Sequence, residues 1–167
     1  MSNVLNPVEL TSALIKCRSI TPTSAGSIDL IISYLEPMGF TCTKIDFGQG
    51  DEKVENLYAR FGSLEPNICF AGHVDVVPTG DEQSWSIDPF GGEIKKGKIW
   101  GRGAADMKSG IAAFIAAVSE FMETNKNLKD YGSISFIITS DEEGKAINLS
   151  LIHISEPTRL LSLSYAV

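Results

Sequence analysis

Histidine and acidic side chains occur at three places in the sequence where they could hold a metal ion. His73 and Asp75 directly follow the apolar run 68–71. Residues i and i+2 of an extended segment point to the same side, so the Asp75 carboxylate can lie beside the His73 imidazole and orient it as a metal ligand. Alone, the pair also fits a histidine that simply caps the end of a strand.

The second place is Asp106, within the glycine-rich segment 101–110. Gly101 and Gly103 have the spacing of a dinucleotide-binding loop. Asp106, however, stands where that motif has its third glycine, and a carboxylate there would repel a pyrophosphate. Two interpretations stay open: Asp106 caps the following helix, or a tight glycine-rich loop presents it as a metal ligand.

The third place is the acidic run Asp141-Glu142-Glu143, which follows the apolar segment 133–139. Such a run is typical of a solvated loop, but carboxylates packed at the end of a buried strand repel one another unless a cation neutralises them. Glu142 and Glu143 are neighbours and must diverge, so one can bind a metal while the other faces a water molecule on it. One histidine with several carboxylates favours zinc, with cobalt or manganese as alternatives.

The elements that must position these residues alternate between helices and strands. Apolar spacing and stop signals predict helices over 7–18, 28–35 (with Ser27 as its cap) and 107–124. Apolar runs predict strands over 40–47, 57–61, 68–71 and 133–139, and a hairpin over 92–100 centred on Lys96-Gly97. The run 68–71 lacks polar alternation, which predicts a strand buried on both faces. The segment 133–139 is predicted to be a second buried strand. This order predicts an α/β layered fold with a mostly parallel sheet flanked by helices.

Five motifs within residues 1–148 carry a family resemblance. They are Gly72-His-Val-Asp-Val-Val-Pro78, Trp85, Asp88-Pro-Phe90, Gly101-Arg-Gly-Ala-Ala-Asp-Met-Lys108 and Thr139-Ser-Asp-Glu-Glu-Gly144. In order and spacing they resemble the succinyl-diaminopimelate desuccinylases, which belong with acetylornithine deacetylases and aminoacylases to the dinuclear zinc amidohydrolases. The resemblance implies the N-terminal part of a zinc-peptidase-like catalytic domain, into which the family inserts a lid domain that also forms its homodimer.

The resemblance also implies a role for each candidate residue. His73 would bind one metal ion, Glu143 would bind a second, and Asp106 would bridge the two. The catalytic residues would be Asp75, which orients His73, and Glu142, a general base that takes a proton from water and passes it to the departing amine. The cofactors would be two zinc ions, with cobalt or manganese possible, and a cis peptide bond is expected after Asp106. Succinyl-diaminopimelate would yield succinate and diaminopimelate, a step of lysine and diaminopimelate biosynthesis.

The resemblance ends near residue 148. Residues 149–167 are rich in Leu and Ser and resemble a translated adapter sequence, so we expect an unrelated tail in which His153 and Glu156 are not ligands. The family's further acidic ligand, its distant histidine and its lid have no matching positions, which predicts an incomplete metal site and little activity. Two alternatives stay open: an acetylornithine deacetylase or other N-acyl amino-acid hydrolase of the same group, and a non-catalytic domain that binds one metal or none.

Composition excludes several other classes of protein. The 167 residues are 43% hydrophobic and 21% charged, as in one globular domain, and the net charge of −7 provides no basic surface for nucleic acid or an anionic membrane. No basic segment leads into a hydrophobic stretch near the first residue, and Cys17, Cys42 and Cys69 form no disulfide framework. We therefore expect a cytoplasmic protein that acts on a small molecule.

Overall fold

The computed structural model describes residues 4–50 and 53–146. The predicted tail at 149–167 and the boundary at residue 148 lie outside the described residues. The α-helices of the described part are α1 (Pro7–Lys16), α2 (Ser27–Leu35) and α3 (Ser109–Thr124). None of the described helices is long and apolar enough to cross a lipid bilayer.

Helix α1 begins where the sequence predicts. The Asn6 side chain accepts a hydrogen bond from the Val8 amide at 2.9 Å, and Pro7 takes the first helical position, where it has no amide hydrogen to leave unpaired. The C-terminal end of α1, at Lys16 and Cys17, matters for the site described below.

The strands of the described part form two sheets. They are β1 (Thr41–Phe47), β2 (Val54–Phe61), β3 (Asn67–His73), β4 (Glu93–Lys95), β5 (Lys98–Trp100) and β6 (Ser133–Thr139). Four of these strands form one sheet in the order β1-β2-β6-β3, and β4 and β5 form a separate hairpin. The hairpin turns at Lys96-Gly97, as predicted.

The predicted α/β layered fold is confirmed, but the sheet is mixed and not mostly parallel. The pairs β1–β2 and β2–β6 are antiparallel, and β3–β6 is parallel. The connections explain this difference, because the short segments 48–53 and 62–66 can only reverse the chain, whereas a parallel pair needs a crossover of about a dozen residues or more. β2 and β3 therefore run in opposite directions. Strand β6, which inserts between them after the crossover through α3, can be parallel to only one of the two.

Strand β6 is the centre of the core and is buried on both faces, as predicted. Phe136 in its middle is fully buried, and its ring centroid lies 5.4 Å from that of Phe40, 6.1 Å from that of Phe70 and 5.3 Å from that of Phe114. Buried apolar residues of α1, α2 and α3 join the same cluster. The core therefore fixes the position of β6, the strand that leads into the acidic run 141–143.

Strand β3 differs from its prediction, because it is not buried on both faces. Ile68 is 60% exposed, and Cys69 and Ala71 are exposed as well. Among the described residues, β3 pairs with β6 on one side only and forms an edge of the sheet. An apolar run indicates that a segment forms a strand, but it does not indicate which other strands or helices cover that strand.

We expect Ile68→Lys to reduce self-association of the chain. An exposed apolar side chain on an edge strand invites pairing with another copy, and a lysine there opposes it. Sedimentation velocity at several protein concentrations measures the effect. The control is Ile94→Lys, because Ile94 is 54% exposed but lies in the separate hairpin. Equal effects of the two substitutions would show that the edge of β3 is not responsible.

Candidate metal centre

The parallel pairing of β3 with β6 brings two of the predicted segments to one edge of the sheet. Its register pairs His73 with Thr139, the last residues of the two strands. The Val74 amide extends the pairing by donating to the Thr139 carbonyl at 2.9 Å. Asp75 and the acidic run 141–143 therefore leave the sheet side by side at the carboxyl ends of the strands, where open α/β sheets bind ligands.

A glycine-rich turn brings Asp106 to the same edge. Gly103 has a φ of +77°, and a Cβ built there would lie only 2.5 Å from Cγ1 of Val76, so the close approach of this turn to the 74–76 segment requires glycine. Asp106 itself has extended backbone angles, with φ −125° and ψ 100°. Lys108, and not Asp106, takes the N-cap position of α3, so the structure does not favour the helix-cap interpretation of Asp106.

The peptide bond that follows Asp106 is cis, as the family resemblance predicts. It lies in the segment Ala104–Lys108, where Asp106 and Met107 have non-helical backbone angles and form a kink just before α3 begins.

All five candidate residues come together at this edge. Nε2 of His73 lies 3.2 Å from Oδ1 of Asp106 and 3.8 Å from Oε2 of Glu142. Ligand atoms of His73, Asp106 and Glu143 all lie within 4.8 Å of one another. His73 is 5% exposed, whereas the side chains of Asp106 and Glu142 are 78% and 50% exposed. The imidazole therefore forms the floor of the site, and the carboxylates form its solvent-facing side.

Asp75 has a contact that sequence reasoning did not anticipate. Its fully buried carboxylate accepts hydrogen bonds from two main-chain amides, that of Glu142 at 3.2 Å and that of Glu143 at 3.0 Å. Nδ1 of His73 lies closer to the main-chain oxygen of Asp75, at 3.0 Å, than to its carboxylate, at 3.5 Å. Asp75 thus orients His73 mainly through its backbone, and its side chain anchors the segment that carries both glutamates.

These amide contacts depend on the alignment of two strands that are distant in sequence. The spacing of His73 and Asp75 places those two residues together, but no local pattern reveals that the amides of Glu142 and Glu143 point at Asp75. Only the register of β3 against β6 does so.

The acidic surroundings shift the pKa values of the site residues in different directions. Burial alone would lower the pKa of His73, but the carboxylate and main-chain oxygen of Asp75 and the Glu142 carboxylate outweigh it and raise the pKa to about 9. Burial would raise the pKa of Asp75, yet its hydrogen bonds with His73 and the two amides lower it overall. Burial and the neighbouring carboxylates raise the pKa of Glu143, although His73 opposes this. Such crowding of carboxylates favours a cation.

The residues present fit a divalent metal ion. One histidine nitrogen and two carboxylates can reach a common point, and this donor set suits zinc, cobalt or manganese. Nε2 of His73 faces the site, while Nδ1 contacts a main-chain oxygen, which is the arrangement that fixes the tautomer of a metal-binding histidine. A metal at Nε2 must displace the proton there, because only the neutral ring binds it.

Comparison with known proteins confirms the resemblance drawn from the motifs. The model of Peptidase family M20/M25/M40 matches residues 69–161, which include all five candidate residues and part of the predicted tail. The chain is 56% identical over 144 residues to the succinyl-diaminopimelate desuccinylase of Rhodospirillum centenum, which covers 86% of this chain. It is 53% identical over 143 residues, or 85% of the chain, to that of Caulobacter vibrioides. The chain spans only 37% and 34% of the length of these two relatives.

Solved structures share the fold. Human carnosine dipeptidase 1 superposes with a TM-score of 0.71 at 26% identity, covering 87% of this chain and 34% of that one. An M20 family metallo-carboxypeptidase from Sulfolobus solfataricus superposes with a TM-score of 0.69 at 21% identity, covering 87% of this chain and 33% of that one. The second likeness concerns the fold alone.

We expect Asp75→Asn to release the segment that carries the two glutamates. Asparagine keeps one acceptor oxygen and turns a side-chain N–H toward the other main-chain amide. The amide hydrogens of Glu142 and Glu143 should therefore exchange faster with solvent, and the free energy of unfolding should fall by about 1–3 kcal/mol. Hydrogen exchange followed by NMR and denaturant unfolding measure the two effects.

The matched control is Asp106→Asn, which neutralises an exposed carboxylate of the same site. It should leave the exchange of both amides unchanged. If Asp75→Asn also left the exchange unchanged, the Asp75 side chain would not anchor this segment.

Proposed function

Since the chain belongs to Peptidase family M20/M25/M40, we propose that it supplies the N-terminal part of a metal-dependent hydrolase that cleaves the amide bond of an N-acyl amino acid. The proposed substrate is succinyl-diaminopimelate. The observation that carries the proposal is the meeting of His73, Asp106 and Glu143, whose ligand atoms lie within 4.8 Å of one another. The choice of substrate is supported by relatives that are 46–56% identical and are named succinyl-diaminopimelate desuccinylase.

His73, Asp106 and Glu143 would hold the two proposed zinc ions, with Asp106 as the ligand common to both. The bound metal would polarise the amide carbonyl and the attacking water and offset the charge that develops on the carbonyl oxygen. Asp75 would hold His73 and the glutamate segment in place through the contacts described above.

Glu142 is the proposed general base. Its carboxylate lies 3.8 Å from Nε2 of His73 and is half exposed, so it borders the ligand site while remaining open to water and substrate. It would accept a proton from water as the water oxygen adds to the amide carbon. It would then deliver that proton to the amine nitrogen as the carbon–nitrogen bond breaks. One water molecule is consumed, and the products are succinate and diaminopimelate.

We assign residues 1–148 to the N-terminal part of the catalytic domain and residues 149–167 to an unrelated tail. A lid domain and a homodimer would belong to the complete enzyme. We propose acetylornithine and other N-acyl amino acids as the competing substrates. The groups that bind the acyl chain are expected mostly in the lid, so residues 1–148 do not distinguish between these substrates.

We expect the two adjacent glutamates to respond differently to substitution. A suitable host is a chimera in which residues 1–144 of this chain replace the matching part of the Rhodospirillum centenum relative. Glu142→Gln keeps the size of the side chain but cannot accept a proton, so kcat should fall about 10²–10⁴-fold with the metal content unchanged. Glu143→Gln should instead lower the metal content.

Turnover of succinyl-diaminopimelate and zinc analysis of the purified chimera measure these effects, and acetylornithine tests the competing substrate. A near-normal kcat for Glu142→Gln with full metal content would exclude Glu142 as the base. An unsubstituted chimera that folds and binds zinc but hydrolyses neither substrate would favour a non-catalytic metal-binding domain.

We expect the 167-residue chain by itself to bind zinc weakly and to hydrolyse neither substrate appreciably. Catalytic zinc sites use about three protein ligands for each ion, whereas the described residues offer one imidazole and two carboxylates for two ions. Calorimetric titration with zinc and a hydrolysis assay beside the chimera test this expectation. Two tightly bound zinc ions and turnover equal to that of the chimera would contradict it.

A further inference from the structure

Lys108 is a buried cation at the end of the turn that carries Asp106. Its exposure is 0%, and its ammonium group donates hydrogen bonds to the carbonyls of Leu14 and Cys17, each at 2.9 Å. Lysine is almost never fully buried unless protein groups replace the water around its charge. None of the roles described above uses this residue.

The two acceptor carbonyls belong to the C-terminal end of α1. Leu14 lies in the last turn of the helix, and Cys17 is its C-cap residue. The last carbonyls of a helix carry partial negative charge and attract a buried ammonium group. Lys108 is a second donor to each of them, because the Leu14 carbonyl also accepts from the Cys17 amide at 3.1 Å and the Cys17 carbonyl from the Ser19 amide at 2.8 Å. Through these bonds Lys108 contacts residues 94 and 91 positions earlier in the chain.

The segment after α1 is in turn bonded to the segment that follows His73. The Val76 amide donates to the Ser19 carbonyl at 2.9 Å, and the Thr21 amide donates to the Val76 carbonyl at 3.1 Å. The Ser19 hydroxyl donates to the Val74 carbonyl at 2.6 Å. The end of α1 is therefore held in a fixed place relative to His73.

Lys108 is also closely connected to the Asp106 side of the site. Its main-chain amide donates to the Gly103 carbonyl at 3.0 Å and closes the turn around Asp106. Its aliphatic chain packs over Gly103, where a Cβ would lie 3.3 Å from Cδ of Lys108. Without the ammonium contacts, this turn would lose its direct bonds to the end of α1.

We propose that Lys108 is a positioning residue of the metal site: its ammonium group joins the Asp106 turn to the end of α1 and so sets the distance between Asp106 and His73. The proposal rests on the proposed metal role of these two residues, but the geometry that it concerns exists without the metal. If Lys108 only stabilised the fold, a core substitution elsewhere that lowers the free energy of unfolding by the same amount would change the distance between Asp106 and His73 equally.

The test compares the full 167-residue chain with two variants at Lys108. Lys108→Met fills similar space without any donor, and Lys108→Gln keeps two N–H donors on a shorter, uncharged side chain, in case the methionine variant does not fold. The control is Val118→Ala, which removes buried volume from α3 at a residue that is 4% exposed and outside the site. All proteins are studied at a temperature at which they are equally folded.

The first measurement needs no metal. An NMR contact between the His73 ring hydrogens and the Asp106 β-hydrogens reports their distance, and with two histidines in the chain the ring signals are readily assigned. The second measurement is a titration with Co²⁺ alone, whose visible spectrum reports the geometry of its ligands. Residues that orient metal ligands typically change affinity about 10–100-fold when they are substituted.

We expect Lys108→Met to lose the NMR contact, to weaken Co²⁺ binding at least tenfold and to alter the spectrum, with Lys108→Gln intermediate and Val118→Ala unchanged. Lys108 variants that keep the NMR contact, or that match Val118→Ala in every measurement, would overturn the proposal. If the unsubstituted chain bound no Co²⁺, zinc analysis of the chimera would decide the metal role in the proposed function, and the NMR contact alone would decide whether Lys108 positions Asp106.

Discussion

The parallel register of β3 against β6 is the constraint on which the rest of the site depends. It pairs His73 with Thr139, so the residues that follow each strand lie side by side at the same edge of the sheet. A shift by one residue would reverse the faces to which the side chains of β3 point. It would also carry Asp75 away from the amides of Glu142 and Glu143. The hydrophobic core around Phe136 packs against β6 and stabilises this register.

The charges of the site divide into an inner and an outer group. The inner carboxylate, Asp75, is fully buried, and its hydrogen bonds with His73 and with two main-chain amides stabilise its negative charge and lower its pKa. The outer carboxylates lie nearer to solvent, and the pKa of Glu143 is raised by burial and by its acidic neighbours. The fold itself thus stabilises the charge of the inner carboxylate, whereas the crowding of the outer carboxylates favours a cation.

The sequence predicts the features of this protein that are local and fails where distant segments meet. The cap at Asn6-Pro7, the hairpin at Lys96-Gly97 and the buried strand 133–139 follow from neighbouring residues alone. The mixed sheet and the exposure of Ile68 depend on which strands lie side by side, which composition does not reveal. The five candidate residues were found from their types and motifs. The amide contacts of Asp75 and the bonds of Lys108 to α1 join segments far apart in the chain and required the structure.

The central place of β6 has a consequence for the order in which the molecule assembles. In the described sheet β6 lies between β2 and β3, yet it follows both of them in the chain. During synthesis these two strands emerge first and cannot complete their pairing until β6 arrives. Contacts between distant segments form slowly because a long loop must close before they are made. His73 and Asp75 therefore emerge before Glu142 and Glu143, and the binding site is among the last parts of the molecule to form.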